Sequence, residues 1–197
     1  MLKIAITGKI ATGKTTISKI LKDQNFDVFE SDLEVNKLFQ ISSLKKKIVE
    51  KFESKIKGIL LEDGSINKQK LASHVFKDPD DLKILENVLY PELKKKKNIF
   101  ITQKTNKKFV FFDIPLLFQK KLHYKYDYII LTYVSYKTKL KRASLRKNLS
   151  KKKLDQILKI QSYDEKKYEK FVSLKINTST SIVETKKKLM EFIKNLL

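Results

Sequence analysis

The sequence contains no cysteine and no tryptophan, and its only histidines are His74 and His123. Without cysteine, the chain cannot form disulfides, thiolate zinc sites or a cysteine nucleophile. Two histidines are too few for a multi-histidine metal centre and argue against a histidine-based triad. We therefore expect His74 and His123 to be ordinary surface or core residues.

Long hydrophobic runs are also missing, although 41% of the 197 residues are apolar. No stretch approaches the roughly 18 apolar residues that a membrane-spanning helix needs. The first seven residues include a lysine and lead directly into a glycine motif, unlike a signal peptide. We expect one compact domain in the cytoplasm, without a membrane partner.

Arginine is scarce, although Lys and Arg total 44 and the net charge is +22. Only Arg142 and Arg146 are arginines, and lysines are spread along the whole chain. Proteins that recognise nucleic acids commonly use arginine for bidentate hydrogen bonds. We therefore expect the lysines to lie on solvated helix faces and no specific nucleic acid to be bound. A nucleic-acid-binding protein switched by a nucleoside triphosphate remains the minor alternative, and it would show steeply salt-dependent binding.

Predicted strands alternate with predicted helices, which favours an α/β fold with a parallel sheet. The strands are expected over residues 2–7, 27–29, 109–113, 127–134 and 171–176, and the helices over 14–22, 33–39, 135–147, 150–161 and 181–196. Residues from about 41 to 105 carry little strand signal and predict a helical insertion, in which Asp78-Pro79 starts a helix and Pro91 separates two helices. The core is expected at about 1–40, 106–136 and 170–197, and a helical lid at about 137–169.

One motif matches the phosphate-binding loop pattern G-x-x-x-x-G-K-[ST] between a predicted strand and a predicted helix. It consists of Gly8, Lys9, Ile10, Ala11, Thr12, Gly13, Lys14 and Thr15. Backbone N–H groups and the positive end of the helix can surround the phosphates of ATP. Lys14 would contact the β- and γ-phosphates, Thr15 would bind Mg²⁺, and Thr16 would complete the site.

Two carboxylates are expected at the carboxyl ends of parallel strands, where ligands bind in such sheets. Asp32 could orient an attacking hydroxyl and accept its proton, or it could cap the following helix. Asp113 could hold Mg²⁺ through water, or it could be a turn residue. Glu30 is a weaker candidate for a catalytic role.

Arg142 and Arg146 stand four residues apart on a predicted helix and would share one face. The planar arginine side chain can hold a phosphate at two points, which lysine cannot reproduce. A lid that closes over ATP would use this property to stabilise the transferring charge. Two arginines are few for a nucleoside monophosphate kinase, which tends to hold two phosphorylated substrates with several.

Together, these motifs resemble the dephospho-CoA kinase family along nearly the whole chain. The resemblance covers the phosphate loop, an acidic–small–acidic triplet, an Asp-Gly turn, a Phe-x-Asp-Pro segment, a strand end followed by Ile-Pro-Leu-Leu-Phe, a lid and a late asparagine. In this sequence these are residues 4–16, Glu30-Ser31-Asp32, Asp63-Gly64, Phe76-Lys77-Asp78-Pro79, Asp113-Ile114-Pro115-Leu116-Leu117-Phe118, residues 141–161 and Asn177.

The resemblance implies a P-loop kinase that transfers the γ-phosphate of ATP to the ribose 3′-hydroxyl of dephospho-CoA. It implies that Asp32 is the catalytic base, that Asp113 meets the substrate, that Asn177 lies near the adenine and that the helical insertion holds the acceptor. Leu116, Leu117 and Phe118 would either contact the acceptor or pack in the core. Another small-acceptor kinase, of nucleotide or shikimate type, remains the alternative, and the chain would be a monomer or a weak homo-oligomer.

This sequence departs from the family pattern at three positions. Gln119 stands where the family usually has glutamate, Tyr90 where it often has histidine, and Ser179 where it often has glycine. None of the three belongs to the phosphate loop, so the expected phosphate-binding residues are intact.

Overall fold

The structure is a computed structural model that describes residues 1–146 and 149–196, with Lys153 described by its backbone alone. The chain forms two compact units. The sheet unit contains Met1–Glu30 and the chain from Lys104 onward, and the helical unit is Ser31–Gln103.

A five-stranded parallel sheet forms the centre of the sheet unit. Its strands are β1 (Leu2–Thr7), β2 (Val28–Glu30), β3 (Phe109–Asp113), β4 (Tyr128–Tyr133) and β5 (Leu174–Asn177), in the spatial order β2-β3-β1-β4-β5. The apolar runs of β1 and β3 are buried, as expected for strands covered on both faces. The expected α/β fold of a P-loop protein, a parallel sheet flanked by helices, is confirmed.

Two helices pack on one side of this sheet and complete its main core. Helix α1 (Lys14–Asp23) contributes Ile17, Ile20 and Leu21, while α9 (Ile182–Lys194) contributes Leu189 and Ile193. Apolar spacing of three and four residues places each set on one helix face. Because α1 is fixed by this core, the loop that precedes it has a firm anchor on both sides.

The last strand begins three residues later than the sequence predicts. The N–H groups of Phe171 and Val172 donate to the carbonyls of Tyr168 and Glu169, three residues earlier, at 3.1 and 3.0 Å. These turn bonds end a short helix, so the two apolar residues leave the sheet and the strand starts at Leu174.

Three helices form the segment that we call the lid, residues 136–169 without 147–148. They are α6 (Tyr136–Ser144), α7 (Lys151–Ile160) and α8 (Glu165–Glu169). Ser135 caps α6 as predicted, because its hydroxyl accepts from the N–H of Thr138 at 3.2 Å. Helix α6 ends at Ser144 rather than near Lys147, and Lys147 itself lies outside the described residues. The side chain of Ser144 donates to the carbonyl of Lys141, which competes with continuation of the helix.

The helical unit contains α2 (Ser31–Leu38), α3 (Ser42–Phe52), α4 (Lys68–Val75) and α5 (Pro79–Thr102). Its core is a cluster of aliphatic side chains around Phe52. Asp78 caps α5 and Pro79 is its first residue, as predicted. Within the described residues, no helix is both long and apolar enough to cross a bilayer.

The prediction that Pro91 separates two helices is wrong, because α5 continues through it. Proline inside a helix costs about 3 kcal/mol. The apolar spacing Leu82, Leu85, Leu89, Leu93 nevertheless continues across Pro91, and all four side chains pack on the core of the helical unit. Burying leucine side chains at about 1.5–3 kcal/mol each outweighs the loss of one hydrogen bond.

Candidate active site

The phosphate loop lies where the sequence predicts it, between β1 and α1. Strand β1 is the central strand, paired with β3 on one side and β4 on the other. The loop therefore leaves the carboxyl edge of the sheet at its middle, the usual ligand position in such folds. The Thr7 hydroxyl donates to the carbonyl of Ile114 at 2.8 Å and ties this edge to the segment after β3.

Gly13 shows why the loop requires glycine. Its backbone is left-handed, with φ 89° and ψ 20°, directly before the first residue of α1. A Cβ on Gly13 would lie 2.5 Å from Oγ1 and 2.9 Å from Cβ of Thr178. Both the conformation and the close approach exclude a larger residue, so this glycine shapes the amide cradle at the helix start.

Two threonines that the sequence analysis did not single out hold the loop to the sheet. Thr132, near the end of β4, contacts the Thr12 hydroxyl at 2.8 Å, and Thr178, just after β5, donates to the carbonyl of Thr12 at 2.7 Å. Both threonines are buried. Their signal was a polar residue at the carboxyl end of an apolar strand, where most side chains are aliphatic.

Lys14 and Thr15 open helix α1 at the mouth of the loop. The ammonium nitrogen of Lys14 donates to the carbonyl of Gly8 at 2.9 Å, so the side chain folds back over the loop. Thr15 is exposed and Thr16 is half-buried. This arrangement places a cation and a hydroxyl beside the positive N-terminal end of the helix.

Arg142 connects the lid to the loop. One terminal nitrogen, Nη1, donates to the carbonyl of Ala11 at 3.1 Å and to the Thr178 hydroxyl at 2.9 Å, and Nη2 donates to the carbonyl of Thr178. Lys139, three residues earlier on α6, shares its side of the helix. Burial, and then the charge of Lys9, lower the pKa of Lys139. Lys139 is therefore a further basic residue beside the loop that the sequence analysis missed.

The expectation that Arg146 shares a helix face with Arg142 is wrong. Helix α6 ends at Ser144, and Arg146 lies beyond it with an exposed side chain. Its N–H bonds to the carbonyl of Ala143, three residues back, so the last turn tightens before Arg146 is reached.

The carboxylates follow the strand ends as predicted. Asp113 ends β3, pairs in register with Ile6 and Glu30, and lies 3.5 Å from the hydroxyl of buried Ser18 on α1. Glu30 forms an ion pair with Lys22. Asp32 is an exposed residue in the first turn of α2, inside the helix rather than at its capping position.

Comparisons with known proteins identify the family of this chain. The family model for dephospho-CoA kinase matches residues 2–184. The chain belongs to the dephospho-CoA kinase family. A dephospho-CoA kinase from Bartonella quintana (strain Toulouse) is 33% identical over 196 residues, which cover 98% of this chain and 97% of that relative.

Two solved structures have folds similar to that of this chain. The structure of dephospho-CoA kinase from Campylobacter jejuni is 27% identical, with a TM-score of 0.65 over 98% of this chain and 96% of that chain. The crystal structure of TT1252 from Thermus thermophilus has a TM-score of 0.82 at 23% identity, over 100% of this chain and 97% of that one. The second likeness concerns the fold alone.

The segment after β3 carries three residues that the sequence analysis considered for contact with the acceptor. Leu117 and Phe118 are buried, and Leu116 is half-buried. The ring of Phe118 packs against both Tyr163 and Tyr168, with centroid distances of 5.0 Å to each. Packing thus accounts for Phe118 in this conformation, while contact of these residues with the acceptor stays a prediction.

The other residues that the family resemblance singled out have defined neighbours. The side-chain oxygen of Asn177, at the end of β5, accepts from the N–H and hydroxyl of Ser179 at 3.0 and 2.6 Å. Tyr90 donates to Glu86 at 2.9 Å. Gln119 donates to the backbone carbonyl of Gln161 at 2.5 Å. A role for Asn177 beside the adenine remains a prediction.

Proposed function

We propose that this protein transfers the γ-phosphate of ATP to the ribose 3′-hydroxyl of dephospho-CoA, giving ADP and coenzyme A. The observation that carries the proposal is the glycine-shaped loop before α1, with Lys14 folded over it, in a chain of the dephospho-CoA kinase family. The reaction breaks the bond between the γ-phosphorus and the β–γ bridging oxygen. The 3′-oxygen forms the new bond to phosphorus and gives up its proton.

In this proposal, residues 8–16 bind the phosphates of ATP. The backbone amides at the start of α1 accept their negative charge, and the Lys14 side chain exchanges its contact with the Gly8 carbonyl for the β- and γ-phosphates. Lys139 and Arg142 add positive charge from the lid side. Asn177 would contact the adenine, and Arg146 would approach the nucleotide only if the segment after α6 rearranges.

Thr15 and Asp113 would hold Mg²⁺, with Asp113 acting through water. Thr15 and Ser18 are three residues apart on one side of α1, and Ser18 contacts Asp113, so both candidate ligands border the same side of that helix. The donors are all oxygens, which suits Mg²⁺. A bound Mg²⁺ would supply positive charge that offsets the negative charge of the phosphates.

Asp32 would orient the 3′-hydroxyl and accept its proton. Its side chain is exposed in the first turn of α2, whereas Glu30, the other acid of the triplet, forms an ion pair with Lys22. In a loose phosphoryl-transfer transition state, orientation of the nucleophile is the larger part of this role. Asp32→Asn should therefore lower kcat far more than it raises KM for the acceptor.

An ADP-release assay with a panel of acceptors tests the proposal. The purified chain with ATP and Mg²⁺ should release ADP with dephospho-CoA and remain near background with shikimate or nucleoside monophosphates. Release of ADP with another acceptor and none with dephospho-CoA would refute the assignment. We further propose that the enzyme works in the cytoplasm as a monomer or weak homo-oligomer, which sedimentation at several concentrations checks for the oligomeric state.

A further inference from the structure

The crest of the phosphate loop, residues 9–11, is held by the lid at three successive positions. Lys9 pairs with Glu165 at 2.5 Å, and Arg142 donates to the carbonyl of Ala11 at 3.1 Å. Between them, the backbone N–H of Ile10 donates to the side-chain oxygen of Gln161 at 2.6 Å. The lid thus contacts backbone groups of the loop as well as a side chain.

The Ile10 side chain is embedded in the lid as well. It packs against a small apolar cluster centred on Ala143, Leu149 and Leu154 of the lid. Leu154 is fully buried. Because both the side chain and the N–H of Ile10 are fixed by the lid, the crest cannot shift without disturbing the α6–α7 pair.

The residue after Ile10 explains why such support is needed. Ala11 has a positive φ of 62°, in the left-handed region that non-glycine residues rarely adopt. Gln161 accepts from the N–H of Ile10, the residue before Ala11, and Arg142 donates to the carbonyl of Ala11 itself. They favour the strained curl over more extended backbones.

Gln161 is in turn oriented by Gln119. The amide nitrogen of Gln119 donates to the backbone carbonyl of Gln161 at 2.5 Å. Gln119 directly follows Phe118, whose buried ring packs against both Tyr163 and Tyr168, so the backbone that carries this donor is well anchored. Two glutamines therefore connect the segment after β3 to the crest of the loop.

We propose that Gln161 is a positioning residue for ATP, which holds the crest of the phosphate loop in its binding shape, and that Gln119 acts through Gln161. The inference rests on the proposed function, since it concerns the same ATP site. It assigns neither glutamine a contact with substrate. Losing the Gln161 contact should weaken ATP binding, because the loop must then be ordered by the nucleotide itself.

The test uses methionine substitutions, which keep side-chain length and remove the amide. Gln161→Met should raise KM for ATP about tenfold, as expected for loss of the partly buried hydrogen bond to the N–H of Ile10. Both kcat and the KM for dephospho-CoA should stay within about twofold of the parent values. Gln119→Met should raise KM for ATP about threefold. The exposed Gln156 on α7 supplies the matched control, Gln156→Met, which should leave all three constants unchanged.

The double variant separates positioning from general destabilisation. If Gln119 acts through Gln161, the double variant should bind ATP no more weakly than Gln161→Met alone, even where its melting temperature is lower. If the effects of the two single substitutions on ATP binding multiply in the double variant, Gln119 does not act through Gln161. A Gln161→Met enzyme with the parent KM for ATP would overturn the proposal as a whole.

Direct titration with a fluorescent ribose-labelled ATP analogue keeps this test independent of the acceptor. If the parent protein bound the analogue but released no ADP with dephospho-CoA, the proposed function would fail while the Gln161 comparison could still be made. A tenfold weaker dissociation constant for Gln161→Met would then support the positioning role, and an unchanged constant would refute it.

Discussion

Gly13→Ala tests whether the left-handed turn before α1 shapes the ATP site. An L-residue in that conformation costs about 1–2 kcal/mol. The new methyl group would also lie 2.5 Å from the Thr178 hydroxyl and 2.9 Å from Thr178 Cβ, closer than any stable contact. The end of β5 must therefore move away from the loop.

The movement has a cost that can be counted from the hydrogen bonds of Thr178. Its hydroxyl donates to the Thr12 carbonyl and accepts from Arg142, at 2.7 and 2.9 Å. Each bond contributes about 1 kcal/mol. Together with the strain, the loss is about 3–4 kcal/mol, which corresponds to a fall in kcat/KM of at least about 100-fold at about 1.4 kcal/mol per tenfold.

Gly64→Ala is the matched control. Gly64 also has a positive φ, 72°, but a Cβ there would meet nothing within 4 Å. This variant should be destabilised only by the backbone strain, which lowers the melting temperature by about 2–8 °C, and it should keep normal kcat/KM. ADP release and thermal melting of both variants measure the difference. A Gly13→Ala enzyme within about threefold of the parent would refute the argument.

Three further predictions concern charged side chains. Lys14→Ala should reduce phosphoryl transfer at least about 1,000-fold in the ADP-release assay, with an unchanged circular dichroism spectrum. Arg142→Lys should lower kcat/KM about 10- to 100-fold, because one ammonium group cannot replace the three hydrogen bonds of the guanidinium, whereas the exposed neighbour change Lys141→Arg should be silent. The hydrogen bond from the Lys55 ammonium lowers the pKa of Asp81 below 3.8 in the folded helical unit. The carboxylate therefore stabilises the fold above that pH, and its contribution is lost as pH falls through the lowered value. The melting temperatures of Asp81→Asn and parent should differ at pH 6, and the difference should shrink only as the pH falls below 3.8.

The best-predicted parts of the molecule are those that local sequence determines. Strands β1 and β3 are apolar runs buried on both faces, and the phosphate loop is a motif whose glycines leave few backbone alternatives. Helix caps such as Ser135 and Asp78 were also readable, because a cap bonds to amides only two or three residues away.

What the sequence did not predict depends on distant contacts. Thr178 bonds to Thr12 across 166 positions of the chain and Thr132 across 120, so a polar residue at a strand end could mark either threonine but could not identify its partner. Similarly, Pro91 is an unfavourable helix residue whose penalty is outweighed by leucines packed on the core of the helical unit. Arg146 appeared to share a face with Arg142 only while α6 was assumed to continue past Ser144.

The contacts of Arg142 suggest a different way for the lid to affect ATP binding from the one that the sequence predicts. Sequence reasoning assigned its guanidinium to a phosphate, whereas the structure has it bound to the carbonyl of Ala11 and to Thr178. Thr178 in turn holds the carbonyl of Thr12. In a trans peptide the carbonyl and the next N–H point in opposite directions, so fixing the Thr12 carbonyl on one side directs the N–H of Gly13 to the other. In the proposed ATP site, lid and sheet would therefore act through the backbone. By holding the Thr12 carbonyl on one side of the loop, they would keep the N–H of Gly13 on the other side, where it could donate to a phosphate oxygen.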